Sequence, residues 1–372
     1  MPASSREPDR APRRGALAVE PVLDFVHFGT VSGSAVSLRR AMAQRVPLAA
    51  LNVLPLARDV TLLPARLRAL AEARRSGRGV PWVRTRAWSV AVERRLRQAG
   101  VGRGRPVLFV GTMTPVVLPE GVRYAVYTDR VAREGAAMGG HLASRFSAGW
   151  LTREESFLRN AARVYTMGPT TVEWLQRAYG IPRDRIRVVG AGPNAPLTGP
   201  IAARTCRRLL FVGLEWERKG GPQLLEAFAQ VRRCHPHLEL LVVGATPRGP
   251  LPPGVRVCGR TVHRAMDDFY SQADALVLPT HRDAVPICLI EAMWKALPCI
   301  VTTVGNQRWI VQEAGLVVEP GDVPGLVTAL DRLVREYPTF AARAARRSEV
   351  VRQTFRWDRV ADQILGDLLQ PD

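Results

Sequence analysis

The sequence predicts an α/β protein built from two Rossmann-like, doubly wound domains that face each other across a cleft. Three observations carry this. Short apolar runs alternate with segments of helical spacing from Leu209 onward. A noisier alternation of the same kind fills the first half, and Gly190–Ala203, with three prolines, three glycines and little periodicity, separates the two. Alternating strands and helices build a parallel sheet covered on both faces, and a Pro/Gly-rich stretch between two such series reads as a hinge. At 372 residues the chain is long enough for two domains, and its 47% hydrophobic content is ordinary for a globular protein.

Residues 1–16, rich in Pro, Ser and Arg without an apolar pattern, predict a disordered arm. Residues 17–190 form the expected first domain, with strands at Val22–Phe28, Leu51–Leu54, Pro106–Val110, Val122–Thr128 and Arg163–Met167, and a glycine-bearing loop, Gly29–Gly33, after the first. Residues 191–203 are the linker. Residues 204–354 form the expected second domain. Its strands are the Leu209–Gly213 run, Leu238–Val243, Val255–Cys258, Ala275–Leu278 and Cys299–Thr302, and its helices lie at Pro222–Arg233, Arg264–Gln272 and Pro286–Lys295. In the first of these helices Leu224, Phe228 and Val231 share a face and Pro222 suits the first turn. A helical pattern runs on from Pro338, and residues 355–372 are expected as a helix packing back on the first domain.

Composition narrows the function. No apolar run approaches the roughly 18 residues of a spanning helix, and the arm has no apolar core of a signal peptide, so a cytoplasmic protein is expected. The five cysteines are odd in number, widely spaced and never in a CxxC, which predicts reduced core thiols rather than disulfides or a zinc site. The charge is uneven: residues 1–200 carry 31 arginines against 14 acids, and the remainder 22 basic residues against 19 acids. A basic half favours anionic partners such as nucleic acid, anionic lipid or a phosphorylated acceptor, or it is a solvated arginine-rich surface. Nucleic acid is the remote alternative, because interleaved aromatics, zinc spacings and a helix-turn-helix are all missing.

The chemistry concentrates in two segments. Lys219, one of only two lysines, lies in Glu215-Trp216-Glu217-Arg218-Lys219-Gly220-Gly221 directly after a strand. Glycines admit backbone N–H groups, a helix N-terminus favours an anion and the ammonium is a mobile point charge, so this loop is suited to phosphate. About seventy residues on, Asp283 follows another strand and Glu291 lies in the helix behind it, spaced so that both carboxylates face one cleft. Carboxylates suit sugar hydroxyls, from which each oxygen accepts.

With these residues in view, the chain resembles the family-4 glycosyltransferases of the GT-B fold, nucleotide-sugar enzymes that are mostly retaining. The resemblance runs from about Val22 to the C-terminus and is strongest from Arg163 on. Phe211-Val212-Gly213 with Trp216–Gly221 is similar to the family's phosphate-contacting loop, and residues 283–293 resemble its Glu-x7-Glu motif. Gly321-Asp322 and Phe355–Asp358 are similar to its later landmarks, Ser32-Gly33-Ser34 to its glycine loop, and Tyr127-Thr128-Asp129 to a strand end facing the cleft. The resemblance implies that Arg218 and Lys219, with Gly33, Gly213, Gly220 and Ile287, hold the donor diphosphate and sugar. It implies further that Glu291 binds the ribose and that Arg260 lies by the base. Asp283 would orient the donor sugar and Asp129 contact the reacting sugar or acceptor, unless Asp129 is only a helix cap. No cofactor besides the donor and no metal is expected, since no Asp-x-Asp occurs.

Departures from the family pattern stand beside these matches. Asp283 replaces glutamate and reaches about one methylene less far. Ala284 and Pro286 stand where two glycines are common, and Pro286 lacks an N–H. Leu214 stands where arginine is frequent, and Trp309 where glutamate is. The leading expectation is transfer of a sugar from a nucleoside diphosphate to a hydroxyl acceptor: a bacterial glycan, a lipid-linked compound or a small metabolite. The alternative is a catalytically weakened partner or scaffold. In the basic half, Arg84–Gln98 places Trp88, Val92 and Leu96 at helical spacing among arginines, which suits either an anionic membrane surface or packing on the sheet.

Overall fold

The computed structural model describes residues 20–27, 33–53, 56, 57, 59–75, 80–138, 146–201 and 205–370. The predicted arm, Gly29–Ser32 of the glycine loop and Leu54 lie outside them.

The first unit runs β1 (Leu23–His27), α1 (Ser34–Ala43), β2 (Leu48–Asn52), α2 (Leu63–Arg75), α3 (Arg86–Gln98), β3 (Val107–Val110), β4 (Tyr124–Thr128), α4 (Ala132–Ala137), α5 (Ala148–Arg159), β5 (Arg163–Thr166), α6 (Thr170–Tyr179) and β6 (Ile186–Val188). The second runs β7 (Arg208–Val212), α7 (Gly221–Cys234), β8 (Glu239–Val243), β9 (Val255–Gly259), α8 (Met266–Gln272), β10 (Ala275–Leu278), α9 (Ile287–Trp294), β11 (Cys299–Thr302), α10 (Gln307–Val311), β12 (Gly315–Val318) and α11 (Val323–Arg335), followed by α12 (Tyr337–Thr354) and α13 (Trp357–Leu368). Each unit holds one six-stranded parallel sheet, in the orders β2-β1-β3-β4-β5-β6 and β12-β11-β10-β7-β8-β9.

Central strands β1, β3, β4 and β10 are buried at every position. This is why they read as unbroken apolar runs rather than as alternating ones. The edge strands are the ones the sequence signals poorly. β2 lies three residues before its expected start, and β6 and β12, short and half-exposed, carry too little pattern to be anticipated. The tail is two helices, α12 and α13, parted at Phe355-Arg356.

One apolar cluster on the second face of the first sheet takes in α3, α5 and α6, and another beneath the second sheet takes in α7 and α11. A third is continuous from α1 through α13 and the linker into α9 and α12. α13 lies on the first unit: Arg45 pairs with Asp362, Arg187 Nη1 donates to Asp367 at 2.6 Å, and the Trp357 ring meets Tyr127 edge-on at 6.5 Å.

α3 decides between the two readings of its apolar stripe. Trp88, Val92 and Leu96 are buried in the core, so this stripe packs on the sheet and is not offered to a membrane. Val60, Leu63 and Leu67, on and just before α2, are among the exposed large apolar side chains of the described residues. Among the described residues no helix is long and apolar enough to cross a membrane.

Candidate active site

In an open parallel sheet, ligands bind beyond the carboxyl ends of the strands where the strand order reverses. In the second sheet that point lies between β7 and β10, because the chain goes from β7 outward to β8 and β9 and returns to β10 on the other side. The loop after β7 carries Arg218 and Lys219; the loop after β10 carries Asp283. Backbone and side-chain bonds zip the two loops together. The His281 N–H donates to the Arg218 carbonyl at 2.9 Å, Thr280 Oγ1 donates to the same oxygen at 3.1 Å, and Arg218 Nη1 donates to the Arg282 carbonyl.

At their junction Lys219 Nζ pairs with Asp283 Oδ2, and Arg218 Nη1 lies 3.6 Å from the same oxygen. Burial alone would raise the Asp283 carboxyl, but Lys219, Arg218 and Arg130 outweigh it and hold it below the usual carboxylate range. Burial works against the Lys219 ammonium, and Asp283 more than restores it. The pair is therefore ionised on both sides. Gly213 lies under the lysine stem, where a Cβ would stand 2.9 Å from its Cγ. Gly220 caps α7 with φ +75°, and a Cβ there would come 1.9 Å from the Pro279 carbonyl oxygen, so only glycine closes this turn. The α7 N-terminus thus opens beside the two cations.

The two units enclose a cleft of about 500 Å³. Asp129, just past β4, lines it from the first unit; Arg218, Asp283 and Ile287 line it from the second. Asp129 is pushed up by burial and by Asp283, against Arg130. Asp283 and Asp129 are thus driven apart in acidity, one held ionised and the other raised.

The other expected site residues are placed differently. Gly33, at φ +79°, caps α1, and a Cβ there would lie 3.0 Å from His263 Nε2 of the second unit. Arg260 is exposed past β9, an edge strand two positions from the β7–β10 crevice, and is not in the cleft lining. Glu291 is buried away from that lining. Its Oε1 accepts from the backbone N–H groups of Asn194 (2.9 Å) and Ala195 (3.0 Å), and its Oε2 from the Tyr270 hydroxyl (2.7 Å). Burial raises its carboxyl despite these donors. One turn on, Lys295 Nζ donates to Thr198 Oγ1 (2.7 Å) and Asp267 Oδ1 (2.9 Å). In this structure the two residues, four apart at the end of α9, clamp the linker.

Sequence reasoning missed Asn306. It is fully buried where the two units meet: its Oδ1 accepts from the Thr170 N–H (3.1 Å), and its Nδ2 donates to Thr170 Oγ1 (2.8 Å) and to the Ala284 carbonyl (3.1 Å). Its only signal is its position in the loop after the β11 run. Among the described residues no group of three or more His, Cys, Asp or Glu side chains is arranged to hold a metal ion.

Residues 206–336 match the family model described as Glycosyl transferases group 1. The chain is similar to a glycogen synthase of Mycobacterium tuberculosis (27% identical over 256 residues, 63% of this chain and 60% of that protein). It is also similar to a D-inositol 3-phosphate glycosyltransferase of Acidothermus cellulolyticus (27% identical over 244 residues, 57% of this chain and 54% of that protein). The matches thus span 60% and 54% of these relatives' own lengths. Among solved structures it superposes on WaaG, a glycosyltransferase involved in lipopolysaccharide biosynthesis, with a TM-score of 0.68 at 16% identity, covering 93% of this chain and 100% of that one. The chain has the GT-B fold, and the cation-bearing wall of its cleft comes from the residues that match the Glycosyl transferases group 1 model.

Proposed function

We propose that this protein is a retaining, metal-independent glycosyltransferase of family 4 that moves a sugar from a nucleoside diphosphate to a hydroxyl acceptor. The observation that carries the proposal is the meeting of Arg218, Asp283 and Asp129 at one cleft, with Lys219, at the entry to α7, joined to it through its pair with Asp283. The diphosphate lies against the two cations and the helix end. As the bond from the anomeric carbon to the diphosphate breaks, its developing charge is met by groups already in place. The acceptor oxygen bonds to the same carbon, and its proton passes to the leaving diphosphate. Asp283 and Asp129 accept hydrogen bonds from hydroxyls of the transferred sugar.

Lys219 must exchange part of its bond to Asp283 for phosphate. Oε1 of Glu291 already accepts from two N–H groups, so a ribose hydroxyl would take the remaining acceptor position on Oε2, beside the Tyr270 hydroxyl. The family relatives do not favour the scaffold alternative. A cytoplasmic site of action fits the need for nucleotide sugars, and contact with an anionic membrane surface is supported by the exposed Val60, Leu63 and Leu67 beside Arg66 and Arg68.

The test is a panel of UDP-, GDP-, ADP- and TDP-sugars. One donor should raise the melting temperature and be turned over in EDTA, and Lys219→Ala should abolish turnover. A chain stabilised by none of them is not this enzyme.

A further inference from the structure

Asp129 and Asp283 line the cleft from opposite units, and one continuous set of hydrogen bonds holds the backbone beside each of them. On the first unit it runs through the two threonines that open α6. The Thr171 hydroxyl donates to the Asp129 carbonyl at 3.0 Å, and Thr170 Oγ1 and Thr171 Oγ1 each lie 3.2 Å from Glu134 Oε1. On the second unit Asn306 grips the loop after β10: its backbone N–H and its Nδ2 both donate to the Ala284 carbonyl, at 2.9 and 3.1 Å. The Asn306 amide closes the path, with Nδ2 donating to Thr170 Oγ1 and Oδ1 accepting from the Thr170 N–H.

This path has little slack. Glu134, Thr171 and Asn306 are fully buried. Gly305, at φ +58°, presses on the same loop so closely that a Cβ there would lie 2.2 Å from the Asp283 carbonyl oxygen, and Gly168 of the first unit backs the Asn306 amide. A buried polar group left unpaired costs about 1–3 kcal/mol, so sliding one unit past the other at this point is opposed. The cations stand apart from it. Arg218 and Lys219 are zipped to the Asp283 loop within the second unit, through the His281 and Thr280 bonds to the Arg218 carbonyl, and need nothing from the first unit to meet a diphosphate. What the path fixes is the placement of Asp129 against Asp283.

Resting on the glycosyltransferase reading, we propose that Thr170, Thr171 and Asn306 are positioning residues for the transfer step: they hold the two carboxyls that flank the sugar at their working separation, and so govern the rate of transfer without governing the affinity for the donor. None of the three needs to touch the reacting atoms. A misplacement of about 1 Å in such a constellation costs on the order of a hundredfold in rate.

The test follows nucleoside diphosphate released by the full chain from whichever UDP-, GDP-, ADP- or TDP-sugar it turns over fastest, with water as the acceptor. Thr170→Val and Thr171→Val keep the side-chain shape and remove the hydroxyl. Each is expected to lower kcat about tenfold or more, while the donor KM and the Kd of the nucleoside diphosphate by isothermal titration stay within about twofold of the parent's. Thr170→Ser, which restores the hydroxyl, should bring kcat back to within about threefold of the parent's. A merely structural role would not divide the constants in this way. A parent-like kcat in either valine variant, a KM that rises as kcat falls, or no recovery with serine overturns the proposal. A parent that turns over no donor fails the transferase reading itself; an active parent matched by its valine variants fails only the positioning role.

Discussion

Lys219 and Asp283 form an ion pair across the β7–β10 crevice, with side chains only 9% and 17% exposed. The ammonium expected to hold phosphate is therefore held by its own carboxylate until a donor arrives. Removing one partner strands the other as an uncompensated, mostly buried charge. Lys219→Met is predicted to cost about 3 kcal/mol in urea unfolding. Lys219→Met with Asp283→Leu should recover most of that loss, because the second substitution removes the stranded carboxylate. Equal losses in the single and double variants would mean that the pair is not coupled.

Asn306 joins Thr170 of the first unit to the carbonyl beside Asp283. Asn306→Ala leaves buried groups of both units unpaired, and is predicted to cost about 2–3 kcal/mol and to raise the radius of gyration in X-ray scattering. Gly168→Ala tests the same contact from the other side, since a Cβ at Gly168 would lie 2.3 Å from Asn306 Cγ. An unchanged scattering profile in both variants would remove Asn306 from any role in holding the units together.

Much of this could be read from the chain, and the limits have physical causes. The central strands announce themselves because burial on both faces demands continuous apolar runs; β6 and β12, at the sheet edges, are under no such demand. Arg218, Lys219 and Asp283 were legible because each directly follows such a run, and strand ends are where parallel sheets bind ligands. What the two lysines share is burial: Lys295, like Lys219, is buried against an aspartate. Glu291 shows the opposite limit. Spacing puts it on the cleft side of α9, but its partners Asn194 and Ala195 come from a linker about a hundred residues earlier, and local pattern says nothing of that contact. Asn306 depends on the same kind of distant pairing.

Glu291→Gln separates holding the linker from binding a ribose. Glutamine keeps an oxygen for the Asn194 and Ala195 N–H groups but turns an amide toward the Tyr270 hydroxyl, so stability should fall by only about 1 kcal/mol. If Glu291 also takes the ribose, the donor KM should rise about tenfold in this variant. An unchanged KM would confine Glu291 to the linker.

Burial pushes the Glu154 carboxyl up to about 7. A carboxyl whose folded value lies above its unfolded one favours the fold at low pH, and this contribution is lost as pH rises from about 4.5 through 7. His27, lowered by burial and by Arg39, acts in the opposite sense over part of that window, so the comparison is between variants rather than along one curve. Glu154→Gln, shaped like the protonated acid, is predicted to be more stable than the parent at pH 8 by about 1–3 kcal/mol and equal to it near pH 5. A difference that does not change with pH would contradict the shift.

The central claim is that Arg218 and Lys219 receive a nucleoside diphosphate. Isothermal titration of the full chain with UDP, GDP, ADP and TDP, repeated with Lys219→Ala, tests it most directly. Saturable binding of at least one of them, weakened about a hundredfold or more in the variant, is the predicted result. Binding that Lys219→Ala leaves unchanged, or no binding by any of the four, would contradict it.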